Sequence, residues 1–395
     1  MRSPSTILHP QFWAEDGTFW YADAYNQGGF ISTLHSYGGY FQTISRLTAW
    51  ISLAAPLHTA PLIFSIIALS IQLLPALLLV SGRFNELIPR KSVQYLCALF
   101  LLLIPNSAEI HGNITNSQWY LAVAAFLILI ATIPQTRRAK FFDFFILLLS
   151  ALSGPFSLFL FPIAFILVIA RKTRAHFFHA IAIAIGGALQ AASILFLNHG
   201  GRLHMMPHMD IKLIFAIFAR QVVFGLMIGA NGYAWALAHI PAFTTTVLLT
   251  TIVAVGCLWY AVLRASLEIK LALLFGTMIF VVSLLSPTGN FSLTPALLIL
   301  SRTSNGIRYW LIPMIACGAG FIWCATRARF KIVKYFSTAL LILSVIGIIV
   351  DFRHPVRDQF SLTSAEKILN DAEPGLRIVV PIAPTGWNMT LIKHL

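Results

Sequence analysis

Residues 59–82 read TAPLIFSIIALSIQLLPALLLVSG, 24 positions without a single charge, and the next loop opens on Arg83 and closes on Arg90-Lys91. Crossing a bilayer as a helix takes roughly 20 apolar residues, so this stretch reads as a membrane span with a basic flank. Similar apolar runs lie at 92–105, 117–133, 141–152, 157–170, 175–197, 242–263, 269–286, 309–326 and 333–350. Hydrophobic residues make up 58% of the 395-residue chain and charged residues only 10%, with a mean hydropathy of +0.81. Soluble domains do not have that composition. The expected fold is an all-α polytopic membrane protein of about ten transmembrane helices, with outer-face loops and a small outer C-terminal tail.

Charge orients this fold. Lysine and arginine collect in alternate loops: Arg83, Arg90 and Lys91; Arg137, Arg138 and Lys140; Arg171, Lys172 and Arg174; Arg264 and Lys270; Arg327, Arg329, Lys331 and Lys334. The intervening loops 106–116 and 153–156 carry none. Cytoplasmic loops are enriched in these residues, which puts the basic set inside and both termini outside. The net charge of +14 then reflects loop bias and anionic lipid, with no nucleic acid implied. Residues 1–58 become a first outer loop with an interfacial helix, 59–350 the transmembrane domain, and 351–395 an extracytoplasmic tail. Met1 to Tyr40 has no apolar core segment, so no secretory signal peptide is read there. Cys97, Cys257, Cys317 and Cys324 all fall inside apolar runs and read as packing residues.

The outer side collects the chemistry. Of 13 acids, only Glu86, Asp143 and Glu268 fall in or near cytoplasmic loops. Phe12-Trp13-Ala14-Glu15-Asp16-Gly17-Thr18-Phe19-Trp20-Tyr21 sets two adjacent carboxylates among rings. Such a pairing suits sugars, because rings stack on pyranose faces while a carboxylate activates a hydroxyl. Residues 28–56 mix apolar and polar positions around one charge, Arg46, and read as a segment lying in the interface. Arg46 suits either snorkelling to headgroups or gripping a phosphate. The loop 105–119 concentrates Glu109, His111, Asn113, Asn116, Gln118 and Trp119, with Asn116 or Ser117 expected to cap the following helix. His199, His204 and His208 lack the setting that imposes metal geometry. The loop 287–308 ends in Arg302, Arg308 and Tyr309, suited to a phosphate at the bilayer surface. A short strand is expected at 377–383, in a tail too small for its own core and expected to pack back on the outer loops.

An acidic motif in the first outer loop, an interfacial helix after it and a second polar outer loop together resemble the GT-C superfamily of membrane glycosyltransferases. The resemblance is carried by Ala14-Glu15-Asp16-Gly17, Gly39-Tyr40-Phe41 through Arg46, Asn113 to Trp119, Gly154-Pro155-Phe156 and Arg308-Tyr309. It implies inverting transfer of a sugar from a polyprenyl-phosphate donor to a glycan, lipid or protein acceptor, on the outer face of a bacterial-type plasma membrane. Asp16 would be the catalytic base, with Glu15 orienting the acceptor or sharing the role. Arg46, Glu109, His111, Asn113, Asn116, Trp119, Arg302, Arg308 and Tyr309 would bind substrate. A divalent metal is allowed but not indicated, since no tight ligand spacing is present. Family members place a helix before the first outer loop, so one more span is expected upstream of Met1. Two other classes fit a basic polytopic chain: a lipid-linked glycan transporter or flippase, and an O-antigen polymerase or ligase.

Overall fold

A computed structural model describes residues 2–197, 210–285, 296–302 and 306–394. The chain is mostly helical, with seven helices long and apolar enough to cross a membrane, so it is an integral membrane protein. These are Ala60–Val80, Arg174–Phe196, Ile211–His239, Phe243–Arg264, Leu267–Leu285, Ile307–Arg327 and Lys331–Val350. Lys91–Leu103, Ser117–Ile130 and Phe156–Arg171 are shorter apolar helices. Hydroxyls inside the long helices donate back to carbonyls one turn earlier, as Thr251 does to Val247 and Ser283 to Ile279. That pairing removes a cost that hydrocarbon would otherwise impose.

The chain forms two compact units: Met1–Ala98, Ile110–Gly201 and Pro355–Leu395 make the first, and Leu99–Glu109 with Arg202–His354 make the second. In the first, every residue of Ser117–Ile130 is buried. Helices Ala60–Val80, Arg137–Leu152 and Phe156–Arg171 pack around it. Gly186 lets Arg174–Phe196 approach Arg137–Leu152 closely, since a Cβ there would stand 2.3 Å from that of Ala151. At the C-terminal end of Ser117–Ile130, Arg171 donates to the carbonyls of Ile130 (2.9 Å) and Ala131 (3.4 Å), and Arg83 donates to Thr132 O (3.0 Å). Arg83 also makes a bidentate ion pair with buried Asp143 at 2.7 and 2.8 Å. Two arginines thus cap carbonyls that a helix end leaves unpaired.

Helix Thr43–Ser52 turns its polar side inward. Ser45, Arg46, Thr48 and Ser52 are buried, while Trp50 and Ile51 are exposed alongside Phe30, Ile31 and Leu34. An outward apolar face is what a helix lying in a bilayer interface needs. The tail folds as helix Leu362–Asp371 and an antiparallel pair of strands, Arg377–Ile382 and Trp387–Ile392. Ile378, Val380 and Ile382 alternate inward along the first strand. Asn26 clamps the second, donating to Thr390 O at 2.9 Å and accepting from Ile392 N at 2.8 Å.

In the second unit, small residues bring helices into contact, as expected where lipid provides no drive for association. A Cβ on Gly276 would stand 2.5 Å from that of Ala316. A core of Ala261, Ala265, Leu273, Ala316 and Cys324 follows from that approach. Residues 211–239, between the apolar runs at 175–197 and 242–263, are helical throughout apart from Gly229 (φ 72°, ψ 175°). The chain stays helical there because Asp351 replaces the bonds lost at the break. Its carboxylate accepts from Ala230 N (2.9 Å), Asn231 Nδ2 (3.0 Å) and Asn106 N (3.1 Å). Asp351 therefore belongs to the packed helices rather than to a free tail.

Candidate functional site

The acidic motif begins with a sharp backbone turn. Ala14 takes φ 47°, a conformation that costs energy for a residue with a side chain. Its N–H donates to Ala383 O of the tail at 2.5 Å, which holds the turn in place. Asp16–Tyr21 then forms a π-helical turn, a local underwinding common at functional positions. Phe12 packs between Tyr21 (4.9 Å) and Phe64 (5.2 Å) and fixes the motif on helix Ala60–Val80.

Asp16 is buried, with 2% of its surface exposed. Oδ1 accepts two bonds, from Thr115 Oγ1 at 2.7 Å and Thr115 N at 3.2 Å. Trp20 Nε1 donates to the same Thr115 hydroxyl at 2.7 Å. Because that hydroxyl accepts from Trp20, its own proton is directed at Asp16. Burial pushes the Asp16 carboxyl up to about 7; the Thr115 hydroxyl and the positive charge of Arg357 oppose that rise, and Glu15 adds to it. Glu15 itself is half-buried beside Asp16. A carboxyl near neutrality that ionises readily suits proton transfer at physiological pH.

The loop 110–118 lies against the motif through Thr115. Its shape comes from Asn113, whose Oδ1 accepts from Asn116 N (3.2 Å) and whose carbonyl accepts from Ser117 Oγ (3.0 Å). Asn116 occupies the cap position of Ser117–Ile130 without a side-chain cap bond. Asn113, three residues upstream, instead orders the turn that leads into the helix. Trp119 is buried edge-on against Phe156 at 4.7 Å and packs there. His111 pairs with Gln72 at 3.0 Å. Burial, with the charges of Arg2 and Arg357, lowers it to about 4, so it is neutral at physiological pH.

Arg46 meets neither expectation for it. It is 2% exposed, bonded to Asp23 Oδ2 at 3.1 Å and stacked 5.1 Å over Trp20. A buried guanidinium needs such a carboxylate, and here it braces the ring that orients Thr115. The rings read as sugar platforms are corrected in the same way. Phe12, Trp20 and Tyr21 are buried, and Phe19 packs on Tyr37 at 4.4 Å. Trp13 carries the Arg357 guanidinium over its face at 5.2 Å.

Glu109, Arg308 and Tyr309 belong to the second unit. Arg308 is ion-paired with Glu109, donates its backbone N–H to Glu109 Oε2 (3.2 Å), and lies 5.1 Å over the Tyr309 ring. Arg308, expected to meet a phosphate, has a carboxylate partner. Arg302 closes helix Ala296–Arg302, and its side chain lies outside the described residues, as do His199, His204 and His208. Among the described residues, no group of three His, Cys, Asp or Glu side chains could hold a metal.

Sequence reading passed over Thr115, Asp23 and Arg357. The signal for Arg357 was present, since an arginine in a segment read as outer runs against the loop bias and calls for a partner. Thr115 carried none, because only the fold shows that its hydroxyl meets Asp16. The chain matches no protein-family model, no curated protein and no solved structure.

Proposed function

We propose that this chain is a GT-C-type membrane glycosyltransferase that moves a sugar from a polyprenyl-phosphate donor to an acceptor hydroxyl. One observation carries the reading: Asp16 is a buried acid poised near neutrality, with both hydrogen bonds on one oxygen. Its Oδ2 takes the acceptor proton as the acceptor oxygen attacks the anomeric carbon. The bond to the lipid phosphate breaks, the phosphate leaves with the electron pair, and the configuration inverts. Glu15 orients the acceptor. Asn113 shapes the loop that holds Thr115, and Arg46 holds Trp20.

An outward-facing site is supported by the two ends of Ser117–Ile130. Asp16 meets the residues before its start, and Arg83 and Arg171 close its end. Basic residues favour the cytoplasm, so Asp16 faces outward, with the tail, across a bacterial-type plasma membrane. The loop charges count about ten crossings.

The test is Asp16→Asn, assayed for sugar transfer from a synthetic polyprenyl-phosphate sugar in proteoliposomes. Loss of transfer in a folded, inserted protein is expected, and wild-type turnover would overturn the reading. A flippase would keep moving lipid-linked glycan in the same vesicles.

A further inference from the structure

We infer that Arg357, carried to the acidic motif by the C-terminal tail, is a positioning residue that supplies the counter-charge favouring the anionic form of Asp16. The inference rests on the transferase reading of Asp16 and deepens it.

Arg357 lies in the irregular stretch before helix Leu362–Asp371. Its Nη2 donates to His111 O at 3.0 Å and Gly112 O at 3.2 Å, and its guanidinium lies 5.2 Å over Trp13. Gly112 takes φ +58°, and a Cβ there would stand 2.7 Å from Thr6 Cγ2. That left-handed turn presents two successive carbonyls to one nitrogen. The carbonyls and the ring are neutral, so they place the guanidinium without neutralising it. The negative charge that acts on Arg357 is Asp16, three residues past Trp13. Burial pulls Arg357 below the ordinary arginine range while Asp16 raises it, and Arg357 in turn lowers Asp16.

The remaining charges around Asp16 do not take this role. Glu15 acts in the opposite sense. Arg46, on helix Thr43–Ser52, is paired with Asp23 on helix Ala22–Gln27. Strand Trp387–Ile392 contributes no ionisable side chain. His111 is neutral, and the charge of Arg2 bears on His111. Among the described residues, the tail therefore brings the cation that favours ionised Asp16. The docking bonds from Ala14, Asn26 and Thr18 to tail carbonyls fix the depth at which it stands.

The experiment titrates the Asp16 carboxyl directly, by infrared difference spectroscopy of the full chain in phosphatidylcholine–phosphatidylglycerol vesicles. The Asp16 band is assigned by its absence in Asp16→Asn. Arg357→Gln and Arg357→Met both remove the charge while keeping an aliphatic stem on Trp13, and either one that stays folded decides the matter. The expected result is an upward shift of the midpoint by about one pH unit or more, the size typical of a lost neighbouring opposite charge. Arg357→Lys should restore most of the shift. In the transfer assay, the acidic limb of the pH profile should move by the same amount. A midpoint unmoved in a folded neutral variant overturns the inference, whatever the transfer assay shows. A raised midpoint in a chain that transfers no sugar supports the inference and overturns the transferase reading alone.

Discussion

Ile382 occupies the space that a side chain on Gly17 would need: a Cβ built there would stand 2.7 Å from Ile382 Cδ1 and 3.1 Å from Phe12 Cβ. The second position after Glu15 is thus reserved for the passage of a tail strand more than 360 residues away in sequence. Gly17→Ala should push the strand off the motif at a cost of about 1–3 kcal/mol, the usual range for overpacking. Limited proteolysis should then cut the tail faster in the variant, and unchanged protection would show that the strand yields without detaching.

Thr115→Val removes the hydroxyl between Trp20 and Asp16 at nearly constant volume. The carboxylate loses its shorter bond and the Trp20 N–H loses its acceptor, a penalty of about 1–3 kcal/mol. The sign of the pH effect is fixed. A bond that favours the charged form is lost, so the Asp16 carboxyl rises above about 7 and a rate that needs the anion is lost at a higher pH than in wild type. A transfer profile with its acidic limb unmoved would count against Thr115 as partner of the base.

Glu109 and Arg308 are each about a quarter exposed or less on their side chains. A thermal-stability cycle of Glu109→Ala, Arg308→Ala and the double variant should give a coupling of roughly 0.2–1 kcal/mol. It should shrink as ionic strength rises. Additive losses would mean that the pair contributes nothing to the fold and would return Arg308 to the phosphate role expected from sequence.

Gly229→Ala meets both a positive φ of +72° and Asp351 Oδ2 only 2.2 Å from the new Cβ. The backbone term alone costs about 1–3 kcal/mol. Asp351→Asn should also lower the thermal midpoint in detergent, because an amide accepts with one terminal atom where the carboxylate uses two. If Gly229→Ala leaves the midpoint in place, the helix can close over the break.

The membrane helices were legible because an apolar run of 20 residues has few other solutions, and the basic loops were legible because charge bias survives in one dimension. The segment 211–239 was not. Gly225, Gly229 and Gly232 interrupt its apolar positions, and the acid that mends the break at Gly229 lies about 120 positions later, at Asp351. Asp16 stood out by composition. Its surroundings did not, since Thr115 bonds it from roughly 100 positions away and the charge of Arg357 acts on it from roughly 340. Arg46 misled for the opposite reason: a lone charge in an interfacial stretch suggests a headgroup, and nothing local reveals Asp23 waiting beneath it.

Helix Ser117–Ile130 is buried along all 14 residues, which amounts to about 21 Å of rise. A helix bathed in acyl chains must match the hydrocarbon thickness of about 30 Å, whereas a sheathed one answers only to its neighbours. In the transferase reading, this short inner helix sets the spacing between the end that meets Asp16 and the end closed by Arg83 and Arg171.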